Sequence, residues 1–329
     1  MNDSEAAERT RGGEAAMRQG LVELARQFLA EGLVVRTWGN FSARLDRDYF
    51  LVTPSGRSYE TLQPADLVKC RIDSGDKVES EEQKPSSEAP MHALVYRERP
   101  AFNVLAHTHQ VYASALSLSE SPVLLDETGR KQLGADSVPV SPYGLPGTRR
   151  LHRHIAETLM ETEASCLLMA SHGAFIFGES GGDCLSRART LEETARRLYE
   201  QRVGRCDHGR ASIADSTEEE REAVSAARGG GFPAVAVSCD PELQLLLGSP
   251  MKAYLDDFAQ ICGVNIGRRR KKNNVFFVPE KKIAVCFAEN ESEALNVRAV
   301  LEKNVRACHM ALLSGAKPLA GWESRLMRR

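Results

Sequence analysis

One order of strand, helix and motif is written into this 329-residue chain twice, the second time incompletely. Val104–Ser117, VLAHTHQVYASALS, returns as Val235–Gly248, VAVSCDPELQLLLG. Ser121-Pro122 then matches Ser249-Pro250, Leu125-Asp126-Glu127 matches Leu255-Asp256-Asp257, and Gly134 matches Gly263. After a deletion, the segment from Cys166 lines up with the one from Phe276, a spacing of 110 residues. This order implies a tandem duplication, so the first part must fold into a unit that can be built again. The copies differ where the chemistry lies. In this alignment His107 becomes Ser238, His109 becomes Asp240 and His172 becomes Lys282. The second copy is therefore expected to serve structure or an interface.

His107-Thr108-His109 ends the apolar run Phe102–Ala106. In an extended strand, residues i and i+2 point to the same side, so two imidazoles there can grip one metal ion. Histidine suits zinc and other late divalent metals, and a catalytic site needs a third protein ligand and an open position. A second HxH, His152-Arg153-His154, has a different setting. Leu151, Ile155 and Leu159 recur every four residues, which reads as an amphipathic helix. On a helix i and i+2 do not share a face, so these two read as exposed helix residues outside the site.

Strand-type and helical segments alternate along the chain, which sets an α/β class with a layered core. The helical reading covers Glu14–Glu31, Glu88–Arg97, Val111–Ser117, the segment around His152, and Asp183–Gln201. Strands are read at Val34–Thr37, Phe41–Leu45, Tyr49–Val52, Asp66–Ile72, the run into His107, Cys166–Ala170 and Ala174–Phe177. The polar residues before Glu14 read as a frayed tail. A main domain is expected over 14–205, a charged, glycine-rich linker over 206–233, and the partial repeat over 234–329. The basic run Arg268–Lys272 reads as a solvated loop.

Net charge is only −2, so bulk electrostatics point to neither nucleic acid nor a membrane surface. No apolar run is long enough for a transmembrane helix, and the N-terminus lacks the apolar core of a secretory signal. The eight cysteines form no CxxC, which favours a reducing cytoplasm over a disulfide framework.

Five motifs occur in order: Gly39-Asn40-Phe41-Ser42, Thr53-Pro54-Ser55-Gly56, Lys84-Pro85-Ser86-Ser87-Glu88, His107-Thr108-His109 and Ser171-His172-Gly173. Through them residues 20–205 resemble the class II aldolase/adducin family, whose members include L-fuculose-phosphate aldolase. Tyr254–Gln260 is similar to a segment of the degenerate second unit found in some members. The resemblance implies an α/β/α domain around a mainly antiparallel sheet, followed by a smaller truncated repeat. It implies that His107, His109 and His172 bind a divalent metal, usually zinc, and that Glu88 is the catalytic base. It also implies that Gly39, Asn40, Ser55, Gly56, Ser86 and Ser87 hold a substrate phosphate. Ordinary turn chemistry would account for Thr-Pro-Ser-Gly equally well, and a helix N-terminal position for Glu88. His92, four residues beyond Glu88, reads as a core residue or a neighbour of the site rather than a ligand.

The activity so implied is a metal-dependent aldehyde-lyase, cleaving a small phosphorylated sugar-like substrate through a metal-stabilised enediolate. An epimerase or dehydratase on the same metal frame is the alternative, and an adducin-like assembly protein is another. Fuculose-phosphate aldolases carry a proton-donating tyrosine after the HxH helix; here Pro122–Glu127 has none. The resemblance also implies a homo-oligomer.

Overall fold

The computed structural model describes residues 3–35, 37–79, 81–119, 121–204, 234–269 and 272–328. The first helix, α1 (Asp3–Ala30), buries Leu21, Leu24, Ala25 and Phe28. It begins eleven residues before the patterned start at Glu14. The segment read as a strand at 34–37 forms none among its described residues. Trp38 N–H instead bonds to Val35 O at 3.1 Å and closes a turn. Then come β1 (Asn40–Arg44), β2 (Tyr49–Val52), β3 (Val68–Arg71), α2 (Ala89–Glu98), β4 (Val104–Thr108) and α3 (Val111–Leu116). They are followed by β5 (Val123–Leu124), α4 (Glu127–Leu133), β6 (Ser137–Val138), β7 (Val140–Ser141) and α5 (Arg149–Met160). The hairpin of β8 (Cys166–Met169) and β9 (Gly173–Gly178) leads into α6 (Gly181–Val203). Chain contacts define two compact units, Met1–Ala113 with Ser121–Thr194, and Ser114–Glu120 with Ala195–Arg329.

In the first unit seven strands form one sheet in the order β3-β2-β1-β4-β9-β8-β7, with only the β7/β8 pair parallel. Alternation along each strand separates its faces. Phe41 meets Phe28 of α1 with ring centroids 4.9 Å apart on one side. On the other side Leu105, Phe175 and Phe177 join Met91 and Val95 of α2 and Leu151, Ile155 and Leu159 of α5 in one core cluster. Helices thus cover both faces, giving the layered α/β fold. Each such buried aliphatic or aromatic side chain contributes about 1.5–3 kcal/mol. Asn40, Ser42 and His107 lie on the α2 face, because Asn40 pairs with His107 and Phe41 with Ala106. Polar residues therefore enter that core at one end of the sheet.

The second unit holds β10 (Ala234–Ser238), α7 (Pro241–Gln244), β11 (Met251–Lys252), α8 (Asp256–Ile261), β12 (Asn265–Ile266), β13 (Val275–Val278), β14 (Ile283–Ala288), α9 (Glu291–Ser314) and α10 (Gly321–Met327). Its sheet runs β10-β14-β13, the order that β4-β9-β8 has in the first unit, and β11 pairs β12 as β5 pairs β6. In the ladders Val104 pairs Gly178 and Val235 pairs Phe287, which lies 109 residues beyond Gly178, so the offsets of 131 and 110 read from the sequence differ by one residue from a shared register. The linker read at 206–233 lies outside the described residues, as do Arg270 and Lys271 of the basic run. Exposed Arg268 there pairs with Glu280 at 2.8 Å.

Among the described residues no helix is long and apolar enough to cross a membrane. All the described cysteines are free thiols; Cys206 lies outside them.

Candidate metal centre

β4 delivers His107 as its fourth residue, and His109 follows just past its end. Both neighbouring strands must approach His107 closely, and each does so through a glycine. A Cβ on Gly39 (φ 98°) would lie 2.4 Å from His107 O, and one on Gly173 would lie 2.3 Å from Thr108 O. Gly173 also follows His172, which the tight β8–β9 turn presents: Ser171 takes a left-handed φ of 60° and His172 N–H bonds to Met169 O at 3.0 Å. We expect Gly173→Ala to push β9 off β4, costing about 1–3 kcal/mol in a denaturant titration and spreading the histidines.

The three imidazoles converge. His107 Nε2 lies 2.9 Å from His109 Nε2 and 3.0 Å from His172 Nε2. His107 and His172 are buried and His109 is half-buried. Glu88 approaches the same point from the start of α2. Its Oε2 is 3.4 Å from His107 Nε2 and its Oε1 is 3.2 Å from His172 Nε2. Glu88 holds the helix N-cap position in its backbone, yet its side chain makes no capping bond. The carboxylate is turned inward instead, where Asn40 Nδ2 donates to Oε2 at 2.7 Å. Burial alone would raise the Glu88 pKa. The fields of His107 and His172 and the bonds from His172 and Asn40 outweigh it and hold the group well below its ordinary value. Burial pushes His107 the other way, well below the usual histidine range, despite the charge of Glu88.

A divalent cation fits these donors. His107 Nδ1 sits 3.0 Å from Ala174 O, which can only accept, so Nδ1 carries the hydrogen and Nε2 offers its lone pair. The Nε2 atoms of His107, His109 and His172 converge beside the Glu88 carboxylate, a set of imidazole donors next to one negative charge that suits a divalent ion. These three form the one cluster of metal-type ligands among the described residues, their ligand atoms all within 4.8 Å of one another. The second HxH gives it no ligand, and His154 Nδ1 donates to Pro142 O at 3.0 Å. Neither histidine is exposed as expected: both are half-buried on α5, and His152, whose pKa burial lowers, feels the opposing charge of Glu88.

The residues read as phosphate-binding divide into two groups. Loops 53–56 and 84–88 are clasped together by a Pro54–Pro85 bridge, with Ser55 N–H on Lys84 O at 3.0 Å and Ser86 N–H on Thr53 O at 3.1 Å. Ser55, Gly56 and Ser87 are exposed and Ser86 is half-buried. Ser86 Oγ also accepts from Glu88 N–H at 3.2 Å, tying the loop to Glu88. The Asn40 side chain belongs instead with Glu88: its Nδ2 faces the carboxylate and its Oδ1 faces His92 Nε2. Gly39 is explained by the close approach of β1 to β4.

Sequence reasoning passed over two residues beside Asn40 and underused a third. Ser42, His92 and Tyr96 are buried and join Asn40 by hydrogen bonds. Their spacing carried the signal: Glu88, His92 and Tyr96 recur every four residues on one face of α2, and Asn40 and Ser42 share one face of β1.

A family described as "Class II Aldolase and Adducin N-terminal domain" matches residues 19–199. A protein of Escherichia coli strain K12 named 3-oxo-tetronate 4-phosphate decarboxylase is 31% identical over 194 residues, covering 56% of this chain and 87% of that one. An L-fuculose phosphate aldolase of Haemophilus influenzae is 31% identical over 181 residues, covering 55% of this chain and 81% of that one. The solved structure of YgbL from Escherichia coli, titled a putative aldolase/epimerase/decarboxylase, superposes with a TM-score of 0.52 at 28% identity, covering 60% of this chain and 92% of that one.

Proposed function

This chain belongs to the class II aldolase and adducin N-terminal domain family, and from that premise we propose that it is a divalent-metal-dependent aldehyde-lyase acting on a small phosphorylated sugar-like substrate. The observation that carries the proposal is the convergence of His107, His109 and His172 beside the Glu88 carboxylate. The three histidines hold the metal, with zinc the ion their nitrogen donors suit best. Once bound, such an ion is a Lewis acid that stabilises negative charge building on a substrate carbonyl oxygen. Glu88, unprotonated and next to that position, takes and returns the proton as the carbon–carbon bond breaks. Ser55, Gly56, Ser86 and Ser87, on the clasped loops, receive the phosphate through hydroxyls and close backbone approach.

Residues 14–205 form the catalytic domain in this reading, and 234–329 are a degenerate tandem copy without metal ligands. The matching strand orders of the two sheets support it. The protein works as a homo-oligomer in the cytoplasm, which its free, mostly buried thiols suit. A mass measurement in solution tests the oligomer.

Incubation with a panel of ketose phosphates, with aldehyde detection, tests the reaction. Aldehyde release supports the lyase. The names of the relatives make epimerase and decarboxylase the competing outcomes, read as an isomeric product or released carbon dioxide. Metal analysis of the purified chain is expected to find about one divalent ion per chain bound at its three-histidine site. A metal-free chain after metal-replete expression would remove the basis of the proposal, and would leave an assembly role of the adducin kind.

A further inference from the structure

The hydrogen bonds behind Glu88 have a fixed direction. An ionised carboxylate can only accept. The Asn40 amide must therefore turn Nδ2 toward Glu88 Oε2, 2.7 Å away. The same orientation turns Oδ1 toward His92 Nε2. A carbonyl oxygen also only accepts, so His92 carries its hydrogen on Nε2. Neutral His92 then presents a bare Nδ1, and Ser42 Oγ, at 2.6 Å, must donate to it. With its one hydrogen used, Ser42 accepts from Tyr96 Oη at 2.8 Å. Reversing any link would set donor against donor or acceptor against acceptor in a buried site.

We propose that Tyr96, Ser42, His92 and Asn40 form a one-way hydrogen-bond relay that anchors Glu88 Oε2 as a permanent acceptor and presents Oε1 as the oxygen for proton exchange. His92 is the positioning residue at its centre. This rests on the reading of Glu88 as the proton carrier. A proton on Oε2 would point at the Asn40 N–H, whereas Oε1 is the oxygen on the His172 side, 3.2 Å from Nε2. The relay is held rigidly. All four residues are buried, the His92 ring meets Phe175 edge-on at 4.9 Å, and the Tyr96 ring lies 5.3 Å from Phe50. Burial holds His92 at a pKa of about 3 against the opposing charge of Glu88, which keeps it neutral, as the relay needs.

The test has two readings. Nitrogen-15 spectra of imidazole-labelled full-length protein, with His92 assigned by its loss in His92→Gln, report which ring nitrogen carries hydrogen. The relay requires neutral His92 with hydrogen on Nε2; hydrogen on Nδ1, or on both nitrogens, overturns it. The kinetic reading compares two amides. His92→Gln places an N–H near the Nε2 position and keeps the donor to Asn40. His92→Asn reaches only the Nδ1 position and leaves Asn40 free to turn. Turnover should fall about 10- to 100-fold in His92→Asn, with KM little changed, and be largely retained in His92→Gln. Equal losses in both, or full turnover in a folded His92→Asn, overturn the relay. The tautomer is read on unmodified protein, so it stands if a variant fails to fold. A protein with the required tautomer that turns over no substrate counts against the lyase reading alone.

Discussion

His107→Ala is expected to empty the metal site and lower turnover by about 10³-fold or more, since a Lewis acid contributes several kcal/mol to the barrier and each 1.36 kcal/mol is tenfold. His107 is the hub of the cluster, for both other Nε2 atoms lie within 3.0 Å of its own. Alanine also leaves Ala174 O without its side-chain donor, a loss of about 1–3 kcal/mol in stability. The fold should tolerate this, because the β4 ladder bonds are made by the backbone. Metal content by elemental analysis, circular dichroism and turnover separate these effects. His154→Ala is the control. It belongs to the other HxH, is half-buried on α5 with Nδ1 bonded to Pro142 O, and should keep both metal and activity. If His107→Ala binds metal as tightly as the parent, the ion is held elsewhere and the site is wrong.

The strand histidines were legible because a period of two is a local property of the chain. His172 was not legible that way. It lies far from β4 in sequence, and only the pairing of β9 with β4 brings it back. The resemblance of Ser-His-Gly to a family motif supplied what spacing could not. The same holds for Glu88, whose position before a helix reads locally as a cap; the inward turn of its carboxylate depends on Asn40, on another strand. Two elements with clear patterns, β2 and α2, fall within a residue of their expected bounds, whereas α1 extends eleven residues before the patterned start. The two-residue strands β5, β6 and β7 carry too few side chains to show any period, and α4, with seven residues, buries only Gly129 and Leu133. The likeness of the two halves was read as an order of segments; residue types carry no register, and the ladders of the two sheets differ by one residue from the offsets so read.

Glu88→Gln should keep the metal and remove the chemistry. Glutamine has nearly the shape of glutamate, and its amide oxygen can take the place of Oε2 and accept from Asn40 Nδ2 as before. The NH2 group then falls where Oε1 stood, beside His172. A group that took protons is thereby replaced by one that can only donate. Turnover is expected to fall about 10²- to 10⁴-fold, the range for loss of a positioned general base, with KM changed far less. Metal content should stay close to that of the parent, because the three imidazole nitrogens are untouched. Glu88→Ala makes a useful second variant. It removes the base and also leaves the Asn40 amide without its acceptor, so it should lose stability as well as turnover. A Glu88→Gln protein that retains parental turnover with its metal in place would show that another group moves the proton. Parallel loss of metal and turnover would instead make Glu88 a holder of the ion rather than the base.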